Sequence, residues 1–248
     1  MRKILVGIKR VVDHAVRIHV AADGSGVNLD GVKMSINPFD EIALEEGLRI
    51  RERSEADEVI VASIGSSDCH QQLRTALALG ADRAVHIDLP DPEPLNVARA
   101  LLWLVRREDP LLVLLGKQSI DGDNAQTGPM LAGLWGRPQA CNASQIIISG
   151  DSATVSREVD AGIETLEIDL PGVVSADLRL NSPRFVRLPE MIKARRKPIE
   201  TVSSAALEID ATPQFRLIRT SPAPQRSPGE RVSNTAELYA KLCERGLL

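Results

Sequence analysis

The chain has 248 residues, enough for one large domain or two small ones. Its formal net charge of −4 excludes nucleic acid as the main partner, because phosphate backbones attract a basic surplus. An aromatic content of 2% is too small for a base-stacking platform. No apolar run approaches the roughly 18 residues that span a bilayer. The three cysteines are widely spaced and odd in number, which excludes a disulfide framework.

The first half of the chain alternates between short apolar runs and amphipathic segments. The apolar runs predict strands at 4–8, 59–62, 85–87 and 111–115. Helical periodicity predicts helices at 67–79, 94–107, 125–134 and from Pro38, with Asn37 as its N-cap. A hairpin is predicted from 17–20 and 26–29 around the Asp23-Gly24 turn signal.

Repetition of strand and helix predicts an α/β fold with a mostly parallel, doubly wound sheet of the Rossmann-like, adenine-nucleotide-binding type. In such sheets ligands bind outside the carboxyl ends of the strands. Those ends are Gly7, Ile64-Gly65 and Gly116, so we expect the functional loops to follow them.

The second half has a different pattern. Antiparallel strands are predicted at 146–148, 154–159 and 165–168, with a further strand at 173–174. A proline-bounded basic segment follows, and from residue 201 the tail is rich in Pro and Ser, with a last helix at 236–242. We therefore predict a nucleotide-binding domain over 1–183, a recognition loop over 184–199 and a C-terminal arm over 200–248.

The segment 116–127 follows the most apolar strand and precedes a helix. Asp123 and Gln126 have the spacing of a capping box, and the free N–H groups of a helix start attract phosphate. An ordinary well-capped loop is the alternative interpretation. The chain contains no GxGxxG, Walker A, HExxH or GxSxG motif, so neither a dinucleotide fingerprint nor a catalytic motif is present.

Several segments in chain order resemble the β (small) subunit of electron-transfer flavoproteins. They include SINPFDEI at 35–42, LLGKQSID at 114–121 and ADLRLNSPRF at 176–185. Further matching segments are 6–13, 30–33, 74–83, 157–160, 164–166, 188–189 and 191–194. The resemblance runs from residue 1 to about residue 200 and weakens in the tail.

The resemblance implies an electron carrier rather than a catalyst, with no catalytic residue and no metal. It implies a heterodimer with an α subunit that holds most of a shared FAD, while this subunit holds a structural AMP. The donors would be flavin dehydrogenases of the acyl-CoA dehydrogenase type, as in fatty acid oxidation, and the acceptor a quinone oxidoreductase. The C-terminal arm would pack on the α subunit.

The resemblance also assigns site residues. Those implied to bind AMP are Gly7, Asn37, Pro38, Phe39, Asp40, Ile64, Gly116, Lys117, Gln118, Ser119, Ile120, Asp121, Gly122, Asp123, Asn124, Ala125, Gln126 and Thr127. His14 stands where relatives often have a Tyr near the flavin, and a histidine there would make the flavin sensitive to pH. Glu158 is implied to contact the α subunit.

Partner docking is implied for Leu188, Pro189, Met191, Ile192, Lys193, Arg195 and Arg196. Leu188 would be an exposed apolar anchor that inserts into a hydrophobic pocket of the donor, beside a basic patch. The alternative is that Leu188 packs back onto its own domain, and that the basic residues form only a solvated surface.

Two other functions remain open. Gly122, Asn124-Ala125 and Pro129 partly resemble the electron-bifurcating branch, in which a second FAD replaces AMP and NADH is the donor; Thr127 favours AMP. A stand-alone, universal-stress-like or adenylating module is the second alternative, although the adenylating type needs glycines after the first strand, where residues 9–13 have none. The apolar part of residues 1–9 is too short for a signal peptide, so we expect a cytoplasmic protein of the bacterial type without membrane insertion.

Overall fold

Apolar strands buried on both faces form the centre of the main sheet. The fold is taken from a computed structural model, which describes residues 1–226 and 228–248. In this part of the chain the sheet has nine strands: β1 Lys3–Gly7, β4 Glu58–Gly65, β5 Arg83–Asp88, β6 Leu112–Gly116, β7 Gln139–Ser149, β8 Ser152–Val159, β9 Gly162–Asp169, β10 Gly172–Ala176 and β11 Glu200–Ser203. Two short strands, β2 Arg10–Val12 and β3 Met34–Ile36, pair separately.

The strand order across the sheet is β11-β5-β4-β1-β6-β10-β7-β8-β9. The strands from β11 to β7 run parallel, whereas β8 and β9 continue the sheet antiparallel. Within β1, Ile4 pairs with Val59 of β4 on one side and with Leu112 of β6 on the other. The predicted fold class, a mostly parallel doubly wound sheet with additional antiparallel strands, is confirmed.

Helices cover both faces of the parallel part. They are α1 Pro38–Glu52, α2 His70–Leu79, α3 Pro94–Glu108, α4 Thr127–Trp135 and α5 Leu188–Ala194, with 3-10 turns at Ser67–Cys69 and Ser204–Leu207. A further helix, α6 Thr235–Glu244, lies in the tail. The side chains of β1 alternate between the two cores: Ile4 and Val6 pack in the cluster with α1 and α2, and Leu5 packs with α3 and α4. Burial on both faces explains why the strands are continuous apolar runs.

The order of strands reverses beside β1. The chain moves from β1 to β4 and β5 on one side, and then crosses to β6 on the other side. Gly7 and Gly116, the last residues of β1 and β6, therefore flank the point where an open α/β sheet leaves a crevice for a ligand.

Four short elements differ from the sequence prediction. The strands β2, β3 and β11 and the helix α5 have three to seven residues each, which is too short for hydrophobic periodicity to show. The helix α5 forms within the segment 184–199, where we expected a loop. The strand β11 pairs in parallel with β5, so the part expected as an arm begins inside the sheet.

The described residues divide into two units by their contacts: Met1–Arg17 with Leu29–Arg216, and Ile18–Asn28 with Leu217–Leu248. In the smaller unit, the predicted hairpin is reduced to one antiparallel bridge between Val20 and Val27. The tail residue Ser227 lies outside the described residues. Among the residues that are described, no helix combines the length and the apolar character needed to cross a bilayer.

An ion-pair cluster lies at the opposite, amino-terminal edge of the sheet. The Glu108 carboxylate, at the end of α3, is buried and accepts hydrogen bonds from Arg83 (2.5 Å), Arg107 (2.9 Å) and Lys3 (3.2 Å). Burial alone would raise the pKa of Glu108, but these three cations outweigh it and lower the pKa to about 2. The cluster joins the starts of β1 and β5 to α3.

Glu108→Ala is expected to lower the free energy of unfolding by about 3 kcal/mol at neutral pH, because it removes the shared partner of three cations. In the native protein, the pKa of Glu108 lies below its ordinary value of 4.5, so its contribution is complete above about pH 4.5 and is lost as the pH falls towards 2. Urea unfolding at pH 7 and at pH 3 measures both effects.

The matched control is Glu164→Ala. Glu164 pairs with one arginine, Arg157 (2.6 Å), and its side chain is 43% exposed, so its loss is expected to cost less than about 1 kcal/mol. Equal losses for the two variants would show that the buried cluster contributes no more than a surface pair.

Candidate functional site

A pocket lies at the carboxyl ends of β1, β4 and β6. Its walls are the loop after β6 with the first turn of α4, and the segment that leads into α3. The lining residues are Gly7, Ile8, Lys9, Asp40, Ile64, Pro92, Pro94, Val97, Leu101, Leu115, Gly116, Lys117, Gln118, Ser119, Asn124, Ala125, Gln126, Thr127 and Gly128. The position is the one that the topology of the sheet predicts for a ligand.

Asp40 joins the ends of β1 and β6. Its carboxylate accepts hydrogen bonds from the backbone N–H of Lys9 (2.8 Å) and from that of Gly116 (3.0 Å). Burial raises the pKa of Asp40 to about 7, against the opposing effect of these N–H donors. The two N–H groups use different carboxyl oxygens, Oδ2 for Lys9 and Oδ1 for Gly116. Asp40 therefore bridges the ends of the two strands.

Asn37 shapes the loop after β6. Its buried side chain donates from Nδ2 to the carbonyl of Gln118 (2.8 Å) and accepts from the backbone N–H of Ile120 (3.1 Å). Asn37 is the N-cap residue of α1, as predicted, and Pro38 opens the helix, but the Asn37 side chain makes no capping hydrogen bond. The amide is used instead to fix the backbone of the pocket loop.

Two lysines at the pocket are each paired with a carboxylate. Lys9 Nζ lies 2.8 Å from Asp121, and Lys117 Nζ lies 2.9 Å from Asp177 and over the ring of Phe39. Partial burial would raise the pKa of Asp121 and of Asp177, but the neighbouring lysine outweighs burial and lowers the pKa of each. The pocket thus has two cations held in fixed positions and largely neutralised.

The predicted capping box at the start of α4 is wrong. The helix begins at Thr127 rather than Ala125, and its N-cap residue Gln126 makes no side-chain capping bond. Asp123 and Ala125 have positive φ, of 47° and 52°, which no helix start allows. The Asp123 carboxylate instead accepts a hydrogen bond from Gln118 (2.8 Å). The first N–H groups of α4 still lack intrahelical acceptors, as at any helix start. Thr127 and Gly128, the first two residues of the helix, line the pocket.

The opposite wall of the pocket is apolar. Pro92, Pro94, Val97 and Leu101 form it together with Ile64. The first four are not predicted from the sequence, although the Pro-x-Pro pattern after β5 indicates a rigid turn at this edge of the sheet. An apolar wall facing a polar loop suits a ligand with a flat apolar ring at one end and a charged group at the other.

The structure brings most of the predicted AMP residues together. Those that line the pocket are Gly7, Asp40, Ile64, Gly116, Lys117, Gln118, Ser119, Asn124, Ala125, Gln126 and Thr127. Seven others do not line it: Asn37, Pro38, Phe39, Ile120, Asp121, Gly122 and Asp123. Of these, Asn37, Asp121 and Asp123 each contact a lining residue by a hydrogen bond or an ion pair. AMP binding itself stays a prediction.

The predicted docking residues lie on and after α5. Leu188, Met191 and Ile192 are exposed by 69%, 43% and 53%, so Leu188 does not pack back onto its own domain. Pro189 stands in the first turn, Lys193 pairs with Glu190 (2.8 Å), and Arg195 and Arg196 follow the helix on the surface. Donor contact by these residues stays a prediction.

The remaining two predicted residues are both exposed. The His14 side chain is 73% exposed and lies 3.9 Å from Asp13. Glu158, at the end of β8, forms an ion pair with Arg179 and is 47% exposed. Both are accessible to a partner, and their predicted roles towards FAD and the α subunit stay predictions.

Comparison with known proteins extends the resemblance to nearly the whole chain. A family model described as "Electron transfer flavoprotein domain" matches residues 26–207. The chain is 48% identical over 249 residues to "Electron transfer flavoprotein subunit beta" of Homo sapiens, with 98% of each chain covered. It is 49% identical over 246 residues to "Electron transfer flavoprotein subunit beta, mitochondrial" of Oryza sativa subsp. indica, with 97% of each covered. The Arabidopsis thaliana protein of the same name is 49% identical over 243 residues, with 97% of each chain covered.

Proposed function

Because this chain belongs to the electron transfer flavoprotein family, as a β subunit, we propose that it forms an electron-carrying heterodimer with an α subunit and binds AMP in the pocket at the ends of β1, β4 and β6. Family membership removes the stand-alone nucleotide-binding module as an alternative. The subunit performs no bond-making step of its own.

The pocket is the observation that carries the proposal. Its apolar wall, formed by Pro92, Pro94 and Val97, suits an adenine ring, and the first N–H groups of α4 would donate hydrogen bonds to a phosphate at the other end. Because Lys9 and Lys117 are already paired with carboxylates, the site offers limited positive charge. Limited charge favours one phosphate over two or three, and thus AMP over a diphosphate or triphosphate nucleotide.

The FAD is shared, and the α subunit holds most of it. FAD supplies the one- and two-electron chemistry of the carrier when bound. On this chain, His14, whose side chain is 73% exposed, is the residue that we propose to approach the flavin. We expected the C-terminal arm, 200–248, to pack on the α subunit; its start belongs to this chain's own sheet and core, so the contact falls on the part beyond Leu207. Exposed apolar side chains there support this: Phe215, Leu217, Ile218, Leu238 and Tyr239.

The donors are flavin dehydrogenases of the acyl-CoA dehydrogenase type, and the acceptor is a quinone oxidoreductase, which places the protein in fatty acid oxidation. The exposed side chains of Leu188, Met191 and Ile192 on α5 form the docking surface. Arg195 and Arg196 beside them attract an acidic donor surface. Single apolar anchors of this kind carry most of the binding energy in protein interfaces.

The nucleotide content of the heterodimer tests the proposal. The chain is expressed with its α subunit, and the nucleotides released by acid are separated and quantified. One FAD and one AMP per heterodimer are expected. Two FAD and no AMP, together with reduction by NADH, would establish the electron-bifurcating type instead.

Expression of the chain without the α subunit is the companion measurement. Exposed apolar residues in the arm predict an aggregating or unstable protein without bound FAD. A well-behaved monomer that binds FAD unaided would contradict the heterodimer proposal.

A further inference from the structure

The last turn of α5 is attached to α2 by the side chain of Arg74. Its Nη1 donates to the carbonyl of Ala194, the last residue of α5, at 2.9 Å, and also to the carbonyl of Lys197. Ala194 is 2% exposed and packs in the core cluster that contains α2. Lys197 Nζ donates back to the carbonyl of Ala81, just after α2, at 2.9 Å. The end of the docking helix is therefore fixed, although the rest of its surface is exposed.

A helix of this size requires such an attachment. With seven residues, α5 is far shorter than the roughly 12 to 15 residues at which an isolated helix becomes marginally stable in water. The last carbonyls of a helix lack intrahelical donors, and the negative end of the helix dipole attracts a cation. The Arg74 guanidinium satisfies both requirements, and it does so from outside the helix.

The other end of the same segment is attached to α1. Arg184 donates to Glu45 from its backbone N–H (3.2 Å) and from Nε (2.8 Å), and its Nη1 lies 2.5 Å from Glu52. Leu188 and Met191 stand between the two attachments and face solvent. A docking surface held at both ends loses little conformational freedom when a partner binds.

We propose that Arg74 is a positioning residue for docking: it holds α5 at the angle at which Leu188 enters the donor. This inference rests on the docking function proposed above. Substituting Arg74 tests the attachment of α5 more directly than substituting Arg184, because Arg184 also neutralises the buried carboxylate of Glu45. Arg74 bonds backbone carbonyls, so its loss leaves no buried charge behind.

The test uses the intact heterodimer, with a donor dehydrogenase assayed over a range of heterodimer concentrations. Arg74→Gln is expected to raise the KM for the heterodimer roughly tenfold, because the shorter amide cannot reach either carbonyl. The kcat at saturation and the FAD and AMP content are expected to stay unchanged. Arg74→Lys keeps the charge and one hydrogen bond, so an intermediate KM is expected, and this variant decides the question if the glutamine variant does not fold.

Arg51→Gln is the matched control. Arg51 donates to the carbonyl of Gly80 at the end of α2 (3.0 Å) and to Asp82 (2.6 Å), so it also holds a helix end, but not that of the docking helix. Arg51→Gln is expected to lower the melting temperature about as much as Arg74→Gln does, without changing the KM for the heterodimer. An equal rise in KM for Arg51→Gln would show that docking responds to overall destabilisation and not to the attachment of α5 to α2. That result would overturn the inference.

A double variant separates this inference from the proposed function. If Arg74 acts by placing Leu188, Arg74→Gln has little further effect on KM in a Leu188→Ala background. If the effects of the two substitutions on KM are fully additive, the inference is wrong. It is also wrong if Leu188→Ala raises KM and Arg74→Gln leaves KM unchanged. In both cases the docking proposal survives. If Leu188→Ala alone leaves KM unchanged, the docking proposal itself is wrong and the role of Arg74 fails with it.

Discussion

Gly116→Ala is expected to eliminate nucleotide binding. A Cβ at residue 116 would lie 2.6 Å from Cβ of Phe39 and 2.9 Å from the backbone N of Asp40, and it would also collide with the Asp40 carboxylate. Real Cβ atoms do not approach backbone so closely, so either α1 or the end of β6 must move. Either shift breaks the hydrogen bonds from Lys9 and Gly116 to Asp40 that hold the pocket floor together.

The measurement is the AMP content of the purified heterodimer, with the FAD content as the internal reference. AMP is expected to fall to a trace while most FAD is retained, because we propose that the α subunit holds most of the FAD. Gly133→Ala is the control: it lies within α4, and a Cβ there meets nothing within 4 Å. A Gly116→Ala heterodimer with full AMP content would show that the nucleotide lies elsewhere.

Leu188→Ala is expected to raise the KM for the heterodimer about thirtyfold with a donor dehydrogenase. Truncating a well-buried apolar anchor at an interface costs roughly 2 kcal/mol or more, which corresponds to that factor. FAD content, AMP content and reduction by dithionite are expected to stay normal, because the side chain is 69% exposed in the free chain and supports nothing inside it.

Two further variants sharpen this result. Leu188→Met keeps the apolar volume and is expected to retain most of the affinity. Replacing Arg195 and Arg196 together is expected to reduce mainly the dependence of the donor reaction on salt, because rim charges act on encounter. A Leu188→Ala protein that loses flavin or unfolds, while its intact fraction reacts normally with the donor, would make Leu188 a structural residue.

Sequence patterns were sufficient for the parallel sheet, for clear physical reasons. The strands β1, β4 and β6 are buried on both faces and each contains an apolar run, whereas β5 has the buried His86 between Val85 and Ile87. The helices α1, α2 and α3 have ten to fifteen residues, long enough for helical periodicity and for Pro or Gly at their ends. Elements of three to seven residues, such as β2 and α5, depend on tertiary contacts and were missed.

The same distinction applies to the candidate site. The polar loop was predictable because it follows the most apolar strand and precedes a helix. The capping box was wrong because residue spacing does not reveal backbone dihedral angles, and the positive φ of Asp123 and Ala125 excludes a helix start there. Nor could spacing show that Asn37 bonds a loop about eighty residues away, or that Pro92 and Val97 complete the pocket.

The order of strands in the sheet also limits when the pocket can form during synthesis. Its floor combines the ends of β1, β4 and β6, of which Gly7 and Gly116 are separated by more than a hundred residues of chain, and its last wall is the first turn of α4. A nascent chain that ends before Gly128 therefore has no complete pocket. Pairing over such sequence distances is slow, since loop closure precedes the stabilising contacts. The AMP binding proposed above would consequently occur late in folding, and only in chains whose central strands have already paired in the correct order.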